Sequence, residues 1–241
     1  MKLHDADVTK FLSDPEKRSV IYGTLLGDAT LTYIPPGKYG GADSYRASKS
    51  GKDGTCYVRI KHAADQKSLV EHKHSVLKDV AGDIWIQRPA NLKWQDSHGF
   101  YTKNSLEWLE VYKELYSDSR EVVGKTGHVQ RFKRLTPEIL DKLDDRGLAW
   151  WIMDDGCYSI SGSGFFRMST QAYTVDEHEM IRAWLEARYG VRSSLNCCAK
   201  KGVRLATYDS YVLYIGEKQF DKIRQRVKSY VIADLQYKLG L

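Results

Sequence analysis

The stretch LAWWIMDDGCYS, residues 148–159, places two adjacent aspartates and a glycine directly behind an apolar run. Acidic groups at the C-terminal end of a helix oppose the helix dipole, so they are costly on an apolar helix unless a cation lies nearby. A second apolar run, VIYGTLLGDATLTY at residues 20–33, also closes on an acid, Asp28. We therefore expect two buried helices, each ending on a functional acid: Asp28 in the first and Asp155 in the second.

The composition of the 241 residues is that of a soluble globular protein, with 42% apolar and 28% charged residues. The chain has no apolar window long enough to span a membrane and no signal-peptide pattern at its start. Its four cysteines lack the C-x-x-C spacing of zinc sites, which favours a reducing intracellular compartment, either the cytoplasm or an organelle matrix. A net charge of +6 makes a nucleic acid the favoured partner.

The first half of the chain reads as helix, two strands, helix, strands and helix. Its first helix starts at a Ser-x-x-Glu capping box, Ser13 to Glu16, and runs to about Gly27. The remaining predicted elements are strands at 30–34 and 56–62, a helix at 63–80, strands at 83–88, 92–95 and 99–103, and a helix at 105–116.

The second half repeats that order at a period of 127 residues, from Asp28 to Asp155. After the helix that ends at 148–156, we predict a hairpin of strands 157–160 and 164–171, a helix at 174–189, strands within 192–200 and 203–208, and a helix at 217–231. The predicted fold is therefore α/β (α+β), a tandem pseudo-twofold repeat of α-β-β-α-β-β-α units with antiparallel sheets. Its predicted parts are an N-terminal half (1–116), a basic linker (117–136) and a C-terminal half (137–241).

Two such helices, lying side by side, would bring Asp28 and Asp155 close together. Like charges at short range need a neutralising cation, and hard carboxylate oxygens suit Mg²⁺. Gly23 and Gly27 lie four residues apart on one helix face, where the lack of side chains lets a second helix approach closely. Two carboxylate-bound metals beside a phosphodiester could activate a water and stabilise the leaving oxygen.

The segments IYGTLLGDA (21–29) and LAWWIMDDG (148–156) resemble the two signature helices of single-chain LAGLIDADG homing endonucleases. The second segment has Trp150 where the motif has glycine, and the first has Gly-Asp-Ala where it has Ala-Asp-Gly. A divergent subgroup of the family shares these forms. The resemblance implies that the eighth motif positions, Asp28 and Asp155, are the catalytic acids. It also implies a metal set of these two acids with Gly27 and Asp154, binding Mg²⁺ with Mn²⁺ as a substitute.

The same resemblance implies a lysine near the scissile phosphates in each half. By position and context these are Lys103, in FYTKNSLEWL, and Lys238, in LQYKLGL. Polar strand residues that order water around the metals are predicted at Lys61 and Gln171. Further predicted DNA contacts come from charged residues of the same strand regions: Arg59, Arg167, Lys200, Lys201 and Arg204.

The function that these features imply is a monomeric, intron- or intein-associated DNA endonuclease that cuts a long, pseudo-palindromic double-stranded target and leaves short 3′ overhangs. The alternative is a non-cleaving RNA maturase, with host intron RNA as its partner, or a DNA-binding regulator on the same fold. Such proteins commonly lose a motif acid, and both acids are present here. His98 and Asn104 only faintly match an H-N-H nuclease motif, because the companion histidine is missing.

Overall fold

A computed structural model describes residues 3–36, 54–89, 95–117, 121–123, 129–197 and 211–241. The chain forms two compact units, one of Met1–Arg18 with Asp28–Ser117 and one of Ser19–Gly27 with Asp118–Leu241. The first motif helix therefore belongs to both units, with residues from Ser19 onward in the second. Within the described residues, no helix is long and apolar enough to cross a membrane.

The first half of the chain contains four helices and one four-stranded antiparallel sheet among its described residues. The helices are α1 (Leu3–Ser13), α2 (Pro15–Leu26), α3 (Lys67–Val76) and α4 (Leu106–Tyr116). The strands are β1 (Thr30–Ile34), β2 (Thr55–Ala63), β3 (Trp85–Gln87) and β4 (Ser97–Tyr101), in the sheet order β1-β2-β4-β3. Strand β2 alternates between buried and part-exposed residues, so one face of the sheet packs on the helices and the other faces outward.

The second half contains a second sheet with the equivalent strand order. A short hairpin of β5 (Glu121–Val123) and β6 (Val129–Arg131) comes first, followed by α5 (Pro137–Leu140) and α6 (Asp145–Asp155). The sheet has the order β7-β8-β10-β9, with β7 (Gly156–Ser159), β8 (Phe165–Met168), β9 (Ser194–Cys197) and β10 (Tyr211–Gly216). The helices α7 (Val175–Tyr189) and α8 (Glu217–Val227) complete it, and 3-10 turns include Ala233–Leu239.

The repeated element order and the matching strand orders confirm the predicted fold class. Of the two predicted helix N-terminal caps, the structure confirms one and contradicts the other. Thr174 and Glu177 form the predicted capping box at the start of α7. At the start of α2, by contrast, the Asp14 carboxylate accepts the backbone N–H groups of Glu16 and Lys17, whereas the Ser13 hydroxyl donates to Thr9. The prediction of Ser13 as the capping residue was wrong, because Asp14 stands one position closer to the helix and offers a charged acceptor.

The sequence did not predict α1, the β5–β6 hairpin inside the predicted linker, the short helix α5, or the strand Tyr211–Gly216. The predicted helix at 63–80 is shorter, because a 3-10 turn precedes α3 and the helix ends at Val76. The predicted strand at 203–208 and most of the one at 92–95 lie outside the described residues.

Candidate active site at the two motif helices

The second motif helix, α6, is buried on all sides. Leu148, Ala149, Trp150, Trp151, Ile152 and Met153 are each at most 2% exposed. A helix that is apolar all round must be surrounded by protein, so its polar end is confined to a defined position. The two tryptophans and Met153 are core residues, as their sequence predicts.

Helix α6 packs against the Ser19–Leu26 part of α2 at glycine contacts. A side-chain carbon added at Gly23 would collide with the backbone carbonyl of Gly147, and one at Gly27 would lie 2.5 Å from the side chain of Asp154. The close approach predicted from Gly23 and Gly27 is therefore confirmed. Trp150 stands where the motif has glycine, and Gly147, one turn earlier, supplies the missing space.

The start of α6 is fixed to α2 by Ser19. The Ser19 hydroxyl accepts the backbone N–H of Asp144 at 2.8 Å and donates to the carboxylate of the same residue. That carboxylate also caps α6 by accepting the N–H of Gly147 at 2.9 Å. One buried serine thus sets the axial position of α6, and with it the position of the acids at the other end.

The two acids of α6 have different surroundings. Asp154 is buried, and its carboxylate accepts a hydrogen bond from the Thr24 hydroxyl of α2 at 3.1 Å. Asp155 is half-buried, and its carboxylate accepts the indole N–H of Trp151, one turn back, at 3.1 Å. Asp155 is therefore the more exposed of the two acids, while Asp154 is held within the helix contact.

In the first unit, Asp28 follows the end of α2 and its side chain is 47% exposed. Its carboxylate lies 3.4 Å from Nδ1 of His62, which is buried on the inner face of β2. Nδ1 also lies 3.0 Å from the side-chain oxygen of Gln66. Both neighbours of Nδ1 are oxygen acceptors, so this nitrogen carries the proton and donates.

The opposite nitrogen of His62 contacts a buried lysine. The Nζ atom of Lys73, on α3, is 3.3 Å from Nε2, and Lys73 is fully buried. An ammonium can only donate, so Nε2 is the acceptor in this contact. The chain Lys73–His62–Asp28 leads from the core of the first unit to the exposed motif acid.

The two predicted lysines also have different surroundings. Lys103, after β4, donates to the Asp7 carboxylate at 3.2 Å and to the backbone carbonyl of Asp79 at 2.9 Å. Lys238 is only 6% exposed, and it donates to the backbone carbonyls of Met153 and of Asp154, the latter at 2.9 Å. Lys238 thus lies at the end of α6, where it contacts the carbonyl of the residue that precedes Asp155.

The predicted DNA-binding residues that the structure describes lie on or beside the two sheets. Arg59 and Lys61 are on the outward face of β2, where the Arg59 guanidinium stacks over Trp85 and Lys61 donates to Gln87 at 2.8 Å. In the second sheet, Arg167 is exposed on β8. Gln171 is exposed just after β8. Lys200, Lys201 and Arg204 lie outside the described residues.

Sequence reasoning missed four residues at these helix ends: Gly147, His62, Trp151 in its polar role, and Lys133. Lys133 was counted only as part of a basic linker, yet its ammonium donates to the carbonyl of Gly27 at 2.8 Å. His62 had a visible signal, because it occupies an inward position of the alternating strand CYVRIKH where an apolar residue is expected.

Comparison with known proteins gives relatives of two kinds. The intron-encoded endonuclease ai4 of Dictyostelium discoideum is 26% identical over 158 residues, 66% of this chain and 86% of the relative. The cytochrome b mRNA maturase bI2 of Debaryomyces hansenii is 28% identical over 234 residues, 94% of this chain and 74% of the relative.

Among solved structures, the homing endonuclease I-WcaI bound to its DNA recognition sequence matches with a TM-score of 0.67. The match covers 96% of this chain and 91% of that structure at 15% identity, so it shows a shared fold. The family model described as the LAGLIDADG DNA endonuclease family matches residues 18–223, which include both motif helices and both sheets. The chain therefore belongs to the LAGLIDADG DNA endonuclease family.

Proposed function

We propose that this protein is a site-specific DNA endonuclease of the homing type, with Asp28 and Asp155 as its metal-binding catalytic acids. The observation that carries the proposal is that both motif helices keep their terminal acid and also keep the glycine contact between helices. A scaffold that only binds nucleic acid would use the glycine contact for packing, but it would have no need of the two acids. Family membership and the endonuclease relative support the same function.

The acids suit a hard divalent cation. Asp28 is exposed and Asp155 is half-buried, and both offer carboxylate oxygens of the kind that Mg²⁺ and Mn²⁺ prefer. Gly27 and Asp154, which precede the acids, offer further oxygens. Bound metal would supply Lewis-acid activation of water and stabilisation of the leaving oxygen. The residues of the chain hold the acids in place: Trp151 donates to Asp155, and His62 donates to Asp28.

The outward faces of the two sheets suit a duplex. Arg59, Lys61 and Arg167 supply positive charge on strands, and strands can enter the major groove, where every base pair shows a distinct pattern. Each half would read one arm of a long, imperfectly palindromic site as a monomer. Lys200, Lys201 and Arg204 remain predicted DNA contacts from the sequence, outside the described residues.

The proposed reaction is a double-strand cut that leaves short 3′ overhangs, with each half serving one strand. The second candidate is an RNA maturase activity with host intron RNA, which the similarity to the bI2 maturase favours. The two candidates differ in their need for the motif acids, because folding an RNA requires no metal-bound carboxylates at a scissile phosphate.

The test is cleavage of a plasmid that carries the uninterrupted host-gene locus, with Mg²⁺ and with Ca²⁺. We expect linear product with Mg²⁺ and binding without cutting with Ca²⁺. Asp28→Asn and Asp155→Asn should each reduce double-strand cleavage to background while target affinity stays near that of the parent protein. Asp83→Asn is the matched control, because Asp83 is an exposed loop acid.

Normal cutting by either motif variant would refute the assignment of that acid. Absence of cutting by the parent protein, together with splicing of the host intron in its presence, would favour the maturase instead.

A further inference from the structure

The last turn of α6 has an unusual set of hydrogen-bond partners. The final four carbonyls of a helix have no partner within the helix. In α6 the first and last of them accept the backbone N–H groups of Gly156 and Ser169. The two in between, on Met153 and Asp154, accept hydrogen bonds from the ammonium of Lys238. A side chain thus completes the C-terminal cap of the second motif helix.

A different lysine makes a comparable contact at the first motif helix, on the residue that directly follows the end of α2 at Leu26. Lys133 donates to the carbonyl of Gly27 at 2.8 Å, and Lys238 donates to the carbonyl of Asp154 at 2.9 Å. Gly27 and Asp154 are equivalent positions, since each directly precedes its motif acid. The lysines themselves do not follow the 127-residue period, because Lys133 lies between the two halves and Lys238 lies at the end of the chain. The match is therefore one of position in the fold and was invisible in the sequence.

We propose that Lys133 and Lys238 are a pair of positioning residues, each fixing one motif acid by capping the helix end that bears it. This proposal rests on the proposed endonuclease function. A positive charge at the C-terminal end offsets the helix dipole, which an acid at the same place makes worse. An ammonium bound to the carbonyl ahead of the acid also holds the backbone from which the carboxylate extends.

The burial of Lys238 strengthens the argument. A lysine is almost never buried unless its charge is compensated, and at 6% exposure Lys238 has lost nearly all its water. The carbonyls of Met153 and Asp154, at the negative end of the helix dipole, provide that compensation. Lys103 has a different environment, because its partners are the Asp7 carboxylate and the Asp79 carbonyl, which belong to neither motif.

The experiment compares Lys133→Met, Lys238→Met and Lys222→Met in single-turnover cleavage of duplex labelled on either strand. Displacement of a catalytic group by about 1 Å costs roughly a hundred-fold in rate. We expect the first two variants to slow opposite strands by about that factor, so that nicked DNA accumulates, while target affinity in Ca²⁺ stays near the parent value. Lys222 donates to the carbonyl of Gly190 at the end of α7, which bears no motif acid, so Lys222→Met should cut both strands in the parent ratio.

A second set of variants tests whether another positively charged donor can replace each lysine. Lys133→Arg and Lys238→Arg keep the charge, and each should restore part of the lost rate on its own strand. A role in folding alone would lower the melting temperature and leave the ratio of the two strand rates unchanged, and that result would overturn the proposal. A strand effect in Lys222→Met equal to that in Lys133→Met would overturn it as well.

A metal-free measurement distinguishes failure of this inference from failure of the proposed function. Hydrogen–deuterium exchange should show faster exchange in the last turn of α2 for Lys133→Met and in the last turn of α6 for Lys238→Met. If the parent protein cuts no DNA, the proposed function fails, and this local pattern still upholds the capping pair. Unchanged exchange at both helix ends refutes the pair whatever the cleavage result.

Discussion

The ends of the two motif helices share a backbone design and differ in the side chains that support the acid. Asp28 is exposed and meets a buried histidine, His62, whose other nitrogen contacts the buried Lys73. Asp155 is half-buried and receives the indole N–H of Trp151 from its own helix. The acid of the first half is thus supported by long-range contacts with β2 and α3, and that of the second half by a local contact.

This difference shows which constraints a repeated fold keeps. Element order and sheet order are the same in both halves, because they follow from the packing of helices on a sheet. The group beside the acid differs between the halves, because a histidine N–H and an indole N–H can both donate a hydrogen bond to a carboxylate. Variants that treat the two helix ends separately can therefore test whether the acids are interchangeable.

The largest expected effect comes from the glycines that bring the helices together. A side-chain carbon at Gly23 would overlap the Gly147 backbone, and one at Gly147 would overlap Ser19. Rigid backbone cannot move aside cheaply, so we expect Gly23→Ala and Gly147→Ala each to cost about 3 kcal/mol in the free energy of unfolding.

Urea denaturation measures this cost. Gly216→Ala is the matched control, because nothing lies within 4 Å of the added carbon and the backbone there has a φ of −66°. If Gly147→Ala is as stable as the control, Gly147 is not the residue that lets α6 approach α2 closely.

The next effect concerns the two donors. Trp151→Phe keeps most of the ring volume and removes the N–H that binds Asp155, and His62→Gln removes the imidazole beside Asp28. A hydrogen bond to a charged group contributes about 1.5–3 kcal/mol, and ~1.4 kcal/mol is ten-fold in rate. We expect each variant to slow one strand about ten-fold, with opposite strands affected.

Trp108→Phe is the control for loss of a buried indole, since Trp108 is fully buried and its N–H has no hydrogen-bond partner among the described residues. Strand-resolved rates at saturating target give the comparison. Equal slowing of both strands by Trp151→Phe would mean that the indole supports the whole scaffold and not one acid.

Much of the fold could be predicted because its signals are local. The capping box of α7, the apolar run of α6 and the alternation of β2 each lie within a few residues of sequence. Helix α1 was missed because its sequence, LHDADVTKFLS, has few apolar residues, of which Val8 and Phe11 are buried. Strand β10, YVLYIG, was missed because the strand of this region was predicted at residues 203–208.

The candidate site was predicted less completely, for a physical reason. An acidic helix end needs a nearby cation, and a metal was predicted for that reason; an ammonium also lies at each end, from Lys133 and from Lys238. Lys238 was predicted near the site from the family resemblance, whereas Lys133 comes from a distant basic stretch and no local pattern reveals its contact with Gly27. His62 meets Asp28 for the same reason only once β1 and β2 have paired.

The smallest expected effect is on the pH dependence of the unfolding free energy, and it comes from a buried histidine of the second half. His178 is fully buried on α7, where Nδ1 lies 2.7 Å from the carbonyl oxygen of Thr174 and Nε2 lies 2.8 Å from the Thr170 hydroxyl. A carbonyl only accepts, so Nδ1 carries the proton and Nε2 accepts from the hydroxyl. Burial lowers the pKa of His178 below its usual 6.5, an effect that the Thr174 carbonyl partly opposes.

The sign of the effect follows from proton linkage. As the pH falls below 6.5 the unfolded chain takes up a proton at His178 before the folded chain does, so stability is complete above pH 6.5 and is lost as the pH falls toward the folded pKa. His178→Gln should therefore flatten the fall in unfolding free energy between neutral and mildly acid pH, measured by urea titrations at several pH values. Part of the slope should remain, because burial, aided by the charge of Lys73, also lowers the pKa of His72. An unchanged slope in His178→Gln would show that the proton uptake occurs elsewhere in the chain, and the buried histidine of the second half would then be only a hydrogen-bonding residue.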